Sequence, residues 1–121
     1  MLYIEMHRGD LKKFKFPIKL KKSNTILKVD LDEIYISFKI TTEDKDYLFQ
    51  KKLSDGSIFR DDNFYYHFAI LPEDTDNLRY GYYKFDIEVI KYDSKGNVSI
   101  KQTVCGELNL LEEATFKSNE V

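Results

Sequence analysis

Apolar side chains recur at every second position through most of this chain, a period that specifies strands and excludes amphipathic helices. Phe14, Phe16, Ile18 and Leu20 alternate with Lys13, Lys15, Lys19 and Lys21, giving the first long run one apolar face and one basic face. Pro17 lies inside this run and cannot donate a ladder hydrogen bond, which predicts a sheet edge or a bulge. Lysines suit such an edge because they oppose edge-to-edge aggregation. Ile34, Ile36, Phe38 and Ile40 alternate with Tyr35, Ser37 and Lys39 as a central strand. Phe64, Tyr66, Phe68 and Ile70 alternate with Tyr65, His67 and Ala69, and both faces are apolar enough to be covered. Tyr83, Phe85, Ile87 and Val89 alternate with Lys84, Asp86 and Glu88.

Turn residues punctuate these runs. Leu2 to Met6 is a short strand followed by a turn at His7-Arg8-Gly9-Asp10, so the Arg-Gly-Asp tripeptide reads as a turn and not as an adhesion signal. Lys22-Ser23-Asn24 precedes a short apolar piece from Ile26 to Leu31, and Glu43-Asp44-Lys45 precedes a strand opening at Tyr47-Leu48-Phe49. The Asp-Gly pair in Ser54-Asp55-Gly56-Ser57 predicts a hairpin whose return begins at Ile58-Phe59. Asp61-Asp62-Asn63 turns the chain again, and Asp93 to Asn97 joins the strand at Tyr83 to Val98–Leu110 as a long hairpin. Pro72 to Leu78 is the one helical candidate, with Pro at the first position and Glu73 and Asp74 at the positive end.

Seven to nine short strands with one short helical turn predict an all-β antiparallel sandwich or barrel. Gly81, two residues before a Tyr83 that opens an alternating strand, has the pattern of a tyrosine corner, which favours an immunoglobulin-like sandwich. Phe85 then stands where antibody domains place their second disulfide cysteine, and Phe38 or Ile36 where they place the core tryptophan. The 121 residues suffice for one domain, expected over 1–111, with 112–121 as a tail or arm that orders only on a neighbour. Nine Phe and nine Tyr, with no Trp, supply its core. No stretch approaches the ~20 apolar residues of a membrane helix. Met1 to Asp10 lacks the apolar stretch of a signal peptide, and a lone Cys105 cannot form an internal disulfide, so a product of a reducing cytoplasm is expected.

The residues offer little chemistry. Neither His7 nor His67 has a nucleophile motif around it, and Cys105 sits in a strand pattern as a free thiol without an enzymatic role. One Cys and two separated His give no zinc spacing, Asp61-Asp62-Asn63 is too short for a calcium loop, and no glycine-rich phosphate loop is present. No enzyme, catalytic residue, metal or cofactor is therefore expected. Charge is more informative. Residues 1–28 carry eight basic and two acidic side chains, and residues 29–121 carry eleven basic and nineteen acidic, so a +6 segment faces a −8 remainder. Complementary patches of this kind guide protein association. Phe14 and Phe16 lie opposite the lysines, so stacking and charge do not converge there and nucleic acid is not the expected partner.

The order of features carries a resemblance: the Arg8-Gly9-Asp10 turn before Phe14-x-Phe16-x-Ile18, then Ile36-Ser37-Phe38-Lys39, Phe49-Gln50-Lys51-Lys52, Asp55-Gly56 and Ile70-Leu71-Pro72-Glu73-Asp74-Thr75. Leu78-x-x-Gly81-x-Tyr83-x-Phe85-Asp86-Ile87-Glu88-Val89 and Gly106-x-Leu108 follow. Over about residues 4–110 the chain resembles the N-terminal immunoglobulin-like domain of phage baseplate upper proteins and small related tail proteins of phages and prophages. The resemblance implies a structural subunit of a phage tail or baseplate, made in the bacterial cytoplasm and located in the virion tail. It also implies contacts with copies of itself or other tail proteins, in a homo-oligomer or ring; from the residues themselves no nucleic-acid or membrane partner is expected. Lys13, Lys15, Lys19 and Lys21 are the expected partner-binding residues. Two other readings remain open: a carbohydrate or cell-surface binding module using Tyr65, Tyr80 and Tyr82, and a small inhibitor of a host protein.

Overall fold

The computed structural model describes residues 2–41 and 43–112. Its described residues form eight strands in two sheets: β1 (Leu2–His7), β2 (Lys12–Pro17), β3 (Glu33–Lys39), β4 (Phe49–Lys52), β5 (Ile58–Arg60), β6 (Tyr65–Ile70), β7 (Gly81–Tyr92) and β8 (Val98–Leu111). One sheet has the order β1-β8-β7-β3-β4 and the other β2-β6-β5. Lettered as an immunoglobulin-like sandwich, these are A′-G-F-C-C′ packed against B-E-D. The helix α1 (Pro72–Thr75) sits between β6 and β7, where the Asp74 carboxylate accepts the Leu71 N–H at 2.8 Å. No helix among the described residues is long and apolar enough to cross a membrane.

The core lies between the sheets and follows the period-two pattern. Ile34, Ile36 and Phe38 from β3 and Phe85, Ile87 and Val89 from β7 are buried, as are Tyr66, Phe68 and Ile70 from β6. Burial of each such side chain contributes about 1.5–3 kcal/mol. Phe38 stacks on Phe49 with centroids 4.3 Å apart and lies 5.1 Å from Phe85, while Phe14 stacks on Phe68 at 4.8 Å.

β7 and β8 form the long hairpin, closed where the Asp93 N–H donates to the Asn97 carbonyl at 2.8 Å and Gly96 adopts φ +84°. β2 is an edge strand, as Pro17 requires. Several local expectations change. The Asp55-Gly56 turn does not close a hairpin, because β4 pairs with β3 and β5 pairs with β6 in the other sheet. The Ser57 hydroxyl accepts the Lys52 N–H at 2.8 Å, taking the place of a backbone acceptor, and the chain crosses between sheets here. The hairpin of this region is instead β5–β6, turned by Asp61 to Phe64. The sheets are not wholly antiparallel, since β1 runs parallel to β8 with Leu2 opposite Gly106 and His7 opposite Leu111. The basic run does not continue as one strand to Leu20: β2 ends at Pro17, and residues 18–27 form a small loop in which Lys19 bridges Ile26. Ile40 lies beyond the end of β3 and is exposed, as are Tyr47 and Leu48 before β4. Cys105 lies on β8 as an exposed free thiol. The expected arm at 112–121 lies outside the described residues from 113 onward.

Candidate functional site

Strand β2 and the margin beside it gather the expected partner-binding lysines and divide them into two pairs. Because Phe14 and Phe16 turn inward, Lys13 and Lys15 stand on the outward face, opposite Ala69 and His67 of β6. The Lys15 ammonium lies 5.0 Å from the ring centre of Tyr65, and the His67 ring stacks on exposed Phe59 at 4.7 Å with 3° between planes. Basic and aromatic groups therefore share this face. Sequence reading places only Phe14 and Phe16 opposite the lysines; the cross-strand registers that bring Tyr65, His67 and Phe59 beside them are tertiary facts.

Asp61 anchors one end of this face. One of its carboxylate oxygens lies 2.8 Å from His67 Nε2, and the other accepts the backbone N–H groups of Asn63 (2.9 Å) and Tyr65 (3.0 Å). A carboxylate only accepts, so Nε2 carries the hydrogen. The His67 bond, followed by the Tyr65 N–H, holds the Asp61 carboxyl down to about 2. The turn forces Phe64 to φ +63°, an uncommon angle for a bulky residue, and Arg60 lies 4.3 Å over its ring.

Lys19 and Lys21 line a cleft of about 530 Å³ that opens between β1 and β2, an edge strand of each sheet. Leu2, Phe14, Phe16, Pro17 and Val104 form much of its apolar wall. The cleft exists because β1 pairs with β8 instead of covering β2, the edge that a first strand covers in an A-B-E-D sheet. The sequence gives no signal for it, since its walls come from opposite ends of the chain.

None of the seven lysines between Lys12 and Lys28 forms an ion pair among the described residues. The pairs lie elsewhere: Lys39 with Asp86 (3.1 Å), Arg60 with Asp30 (2.7 Å), Lys84 with Glu107 (2.6 Å), and a largely buried Lys51 with Asp74 (2.6 Å) that ties β4 to α1. The seven lysines thus keep their charge without an ion-pair partner among the described residues.

The residues expected to be structural lie around β7. Tyr83 donates its hydroxyl to the Arg79 carbonyl at 2.7 Å, four residues upstream as in a tyrosine corner, although its ring is half-buried and not fully enclosed. Gly81 adopts φ +134°, an angle side chains disfavour. Phe85 and Phe38 are neighbours across β7 and β3. The tyrosines a sugar groove would need do not converge. Tyr65 lies on the outer face of one sheet and Tyr82 on the outer face of the other, while Tyr80 packs against Arg8 at 4.5 Å. Among known proteins, the chain matches no family model and no curated sequence.

Proposed function

We propose that this chain is a structural subunit of a phage or prophage tail or baseplate, located in the virion tail and working through protein–protein contacts with copies of itself or other tail proteins. The observation that supports an assembly role is the set of lysines from Lys12 to Lys28, none of them in an ion pair among the described residues, beside a free strand edge of each sheet. Like charge without an ion-pair partner favours an acidic protein surface that neutralises it, and free edges accept backbone hydrogen bonds from a neighbour. The phage assignment rests on the sequence resemblance given above. The test is to express the tagged chain together with the products of its flanking genes and to recover tail particles by sedimentation. Wild type is expected to sediment with the particles, and a Lys13→Glu, Lys15→Glu, Lys19→Glu variant to stay in the supernatant. Flanking genes that encode no tail proteins, or a chain that never joins a particle, overturn the reading.

A further inference from the structure

We propose that the cleft between β1 and β2 receives an added β-strand, and that this strand is residues 113–121 of a second copy of the chain. The proposal rests on the reading of the chain as an assembly subunit and names the contact. The outer edge of β2 has no strand partner among the described residues, and beside it the inner apolar side chains Phe14, Phe16 and Val104 border an open cleft of about 530 Å³. A strand laid there completes the sheet and covers the apolar walls together, because its backbone pairs with one edge while alternate side chains turn inward.

The segment after Glu112 has the composition for this. In an extended conformation Ala114 and Phe116 share one face, with Thr115 and Lys117 on the other. Across residues 113–121, Glu113 and Glu120 outnumber Lys117 by two to one. Lys19 and Lys21 at the cleft rim have no ion-pair partner among the described residues and meet that charge. Nine extended residues span about 30 Å, enough to run the length of β2.

The chain's exit favours a neighbour's cleft over its own. The Arg8 N–H donates to the Leu111 carbonyl at 3.0 Å, and His7 Nδ1 lies 2.5 Å from the Glu112 carbonyl, so β8 leaves the sheet at the His7 end of β1. The cleft lies at the other end, by Leu2, Tyr3 and Ile4. Entering it from the same chain requires a reversal just after Leu111. The tight turns of this protein use Gly9-Asp10, Asp55-Gly56, Asp61-Asn63 and Asp93-Gly96, whereas Glu112-Glu113-Ala114-Thr115 offers no Gly, Pro, Asn or Asp.

The test uses full-length chains followed by light scattering. Phe116→Asp removes the inserting side chain and leaves the cleft intact; Val104→Glu places an acid in the partly exposed cleft wall and leaves the segment intact. Circular dichroism confirms that both fold, and Lys19→Glu with Lys21→Glu serves as a second cleft variant if Val104→Glu does not. Wild type is expected to grow in mass with concentration, and each variant alone to need at least about tenfold more protein to do so. An equimolar mixture of the two is expected to give dimers, since one intact cleft and one intact segment remain. Variants that associate like wild type, or a mixture that behaves like its components, overturn the proposal. Wild type that stays monomeric while Phe116→Asp gains binding of an apolar dye shows the segment covering its own cleft, which overturns the second-copy assignment. Variants that fail to dock yet still enter tail particles defeat this contact and leave the assembly reading standing.

Discussion

The ring of Phe85 occupies the space that a side chain on Gly106 would fill. The two residues face each other across β7 and β8, and a Cβ built on Gly106 overlaps three ring carbons of Phe85. Aromatic cover of a strand glycine restores the packing that the glycine itself lacks. Gly106 is therefore required by contact and not by backbone freedom.

Gly106→Ala should destabilise the domain by about 1–3 kcal/mol, the range for overpacking a filled core. Phe85→Ala should cost about 3–5 kcal/mol. Because the two groups compete for one space, Gly106→Ala combined with Phe85→Leu should cost less than the sum of the single changes. Urea unfolding of wild type, Gly106→Ala, Phe85→Leu and the double variant measures this, and strict additivity would contradict the contact.

Two tyrosine hydroxyls should respond in opposite senses. Tyr83 donates to the Arg79 carbonyl, so Tyr83→Phe should lose about 0.5–1.5 kcal/mol. The Tyr66 hydroxyl is buried without a hydrogen-bond partner among the described residues, and burial raises its pKa. Tyr66→Phe should leave stability unchanged or raise it, because it removes a polar atom that the interior does not compensate. Thermal unfolding of the pair distinguishes the roles: a loss in Tyr66→Phe would count against its unpartnered hydroxyl, and no loss in Tyr83→Phe against the bond to Arg79.

Asp61 should give the domain an acid-sensitive increment. Its folded pKa of about 2 lies below the ordinary 3.8, so the carboxylate adds stability above the ordinary value and loses it as pH falls toward the folded one. The stability difference between wild type and Asp61→Asn should hold from neutral pH down to about 4 and shrink between about 4 and about 2. Denaturant unfolding across that range, monitored by circular dichroism, checks this; a difference independent of pH would remove the carboxylate from the account.

Much of the sandwich is legible in the sequence, because alternation at Ile34, Ile36 and Phe38, at Tyr66, Phe68 and Ile70, and at Phe85, Ile87 and Val89 reports burial directly. Pro17 likewise announces its edge, because a missing donor is a local property. Sheet membership is not legible. Asp55-Gly56 reports that the chain bends, while the Ser57 hydroxyl that occupies the Lys52 N–H and the pairing of Ile58 with Phe68 decide that it changes sheets. The burial of Lys51 has no signal in the sequence, because it depends on α1 bringing Asp74 to it. Of the candidate site, the lysines are visible in the sequence and the cleft is not, since Leu2, Phe16 and Val104 meet only through the parallel pairing of β1 with β8.

If the basic margin of β2 is a protein contact, sedimentation velocity over rising concentration will respond to salt. Attraction between the +6 segment and acidic surface on another copy is screened as the Debye length falls from about 30 Å at 0.01 M to about 3 Å at 1 M salt. Wild type should therefore sediment faster as concentration rises at low salt and lose that dependence at high salt. The Lys13→Glu, Lys15→Glu, Lys19→Glu variant should sediment as a monomer throughout. Identical sedimentation of the two proteins at both salt concentrations would mean that these lysines are solvated surface.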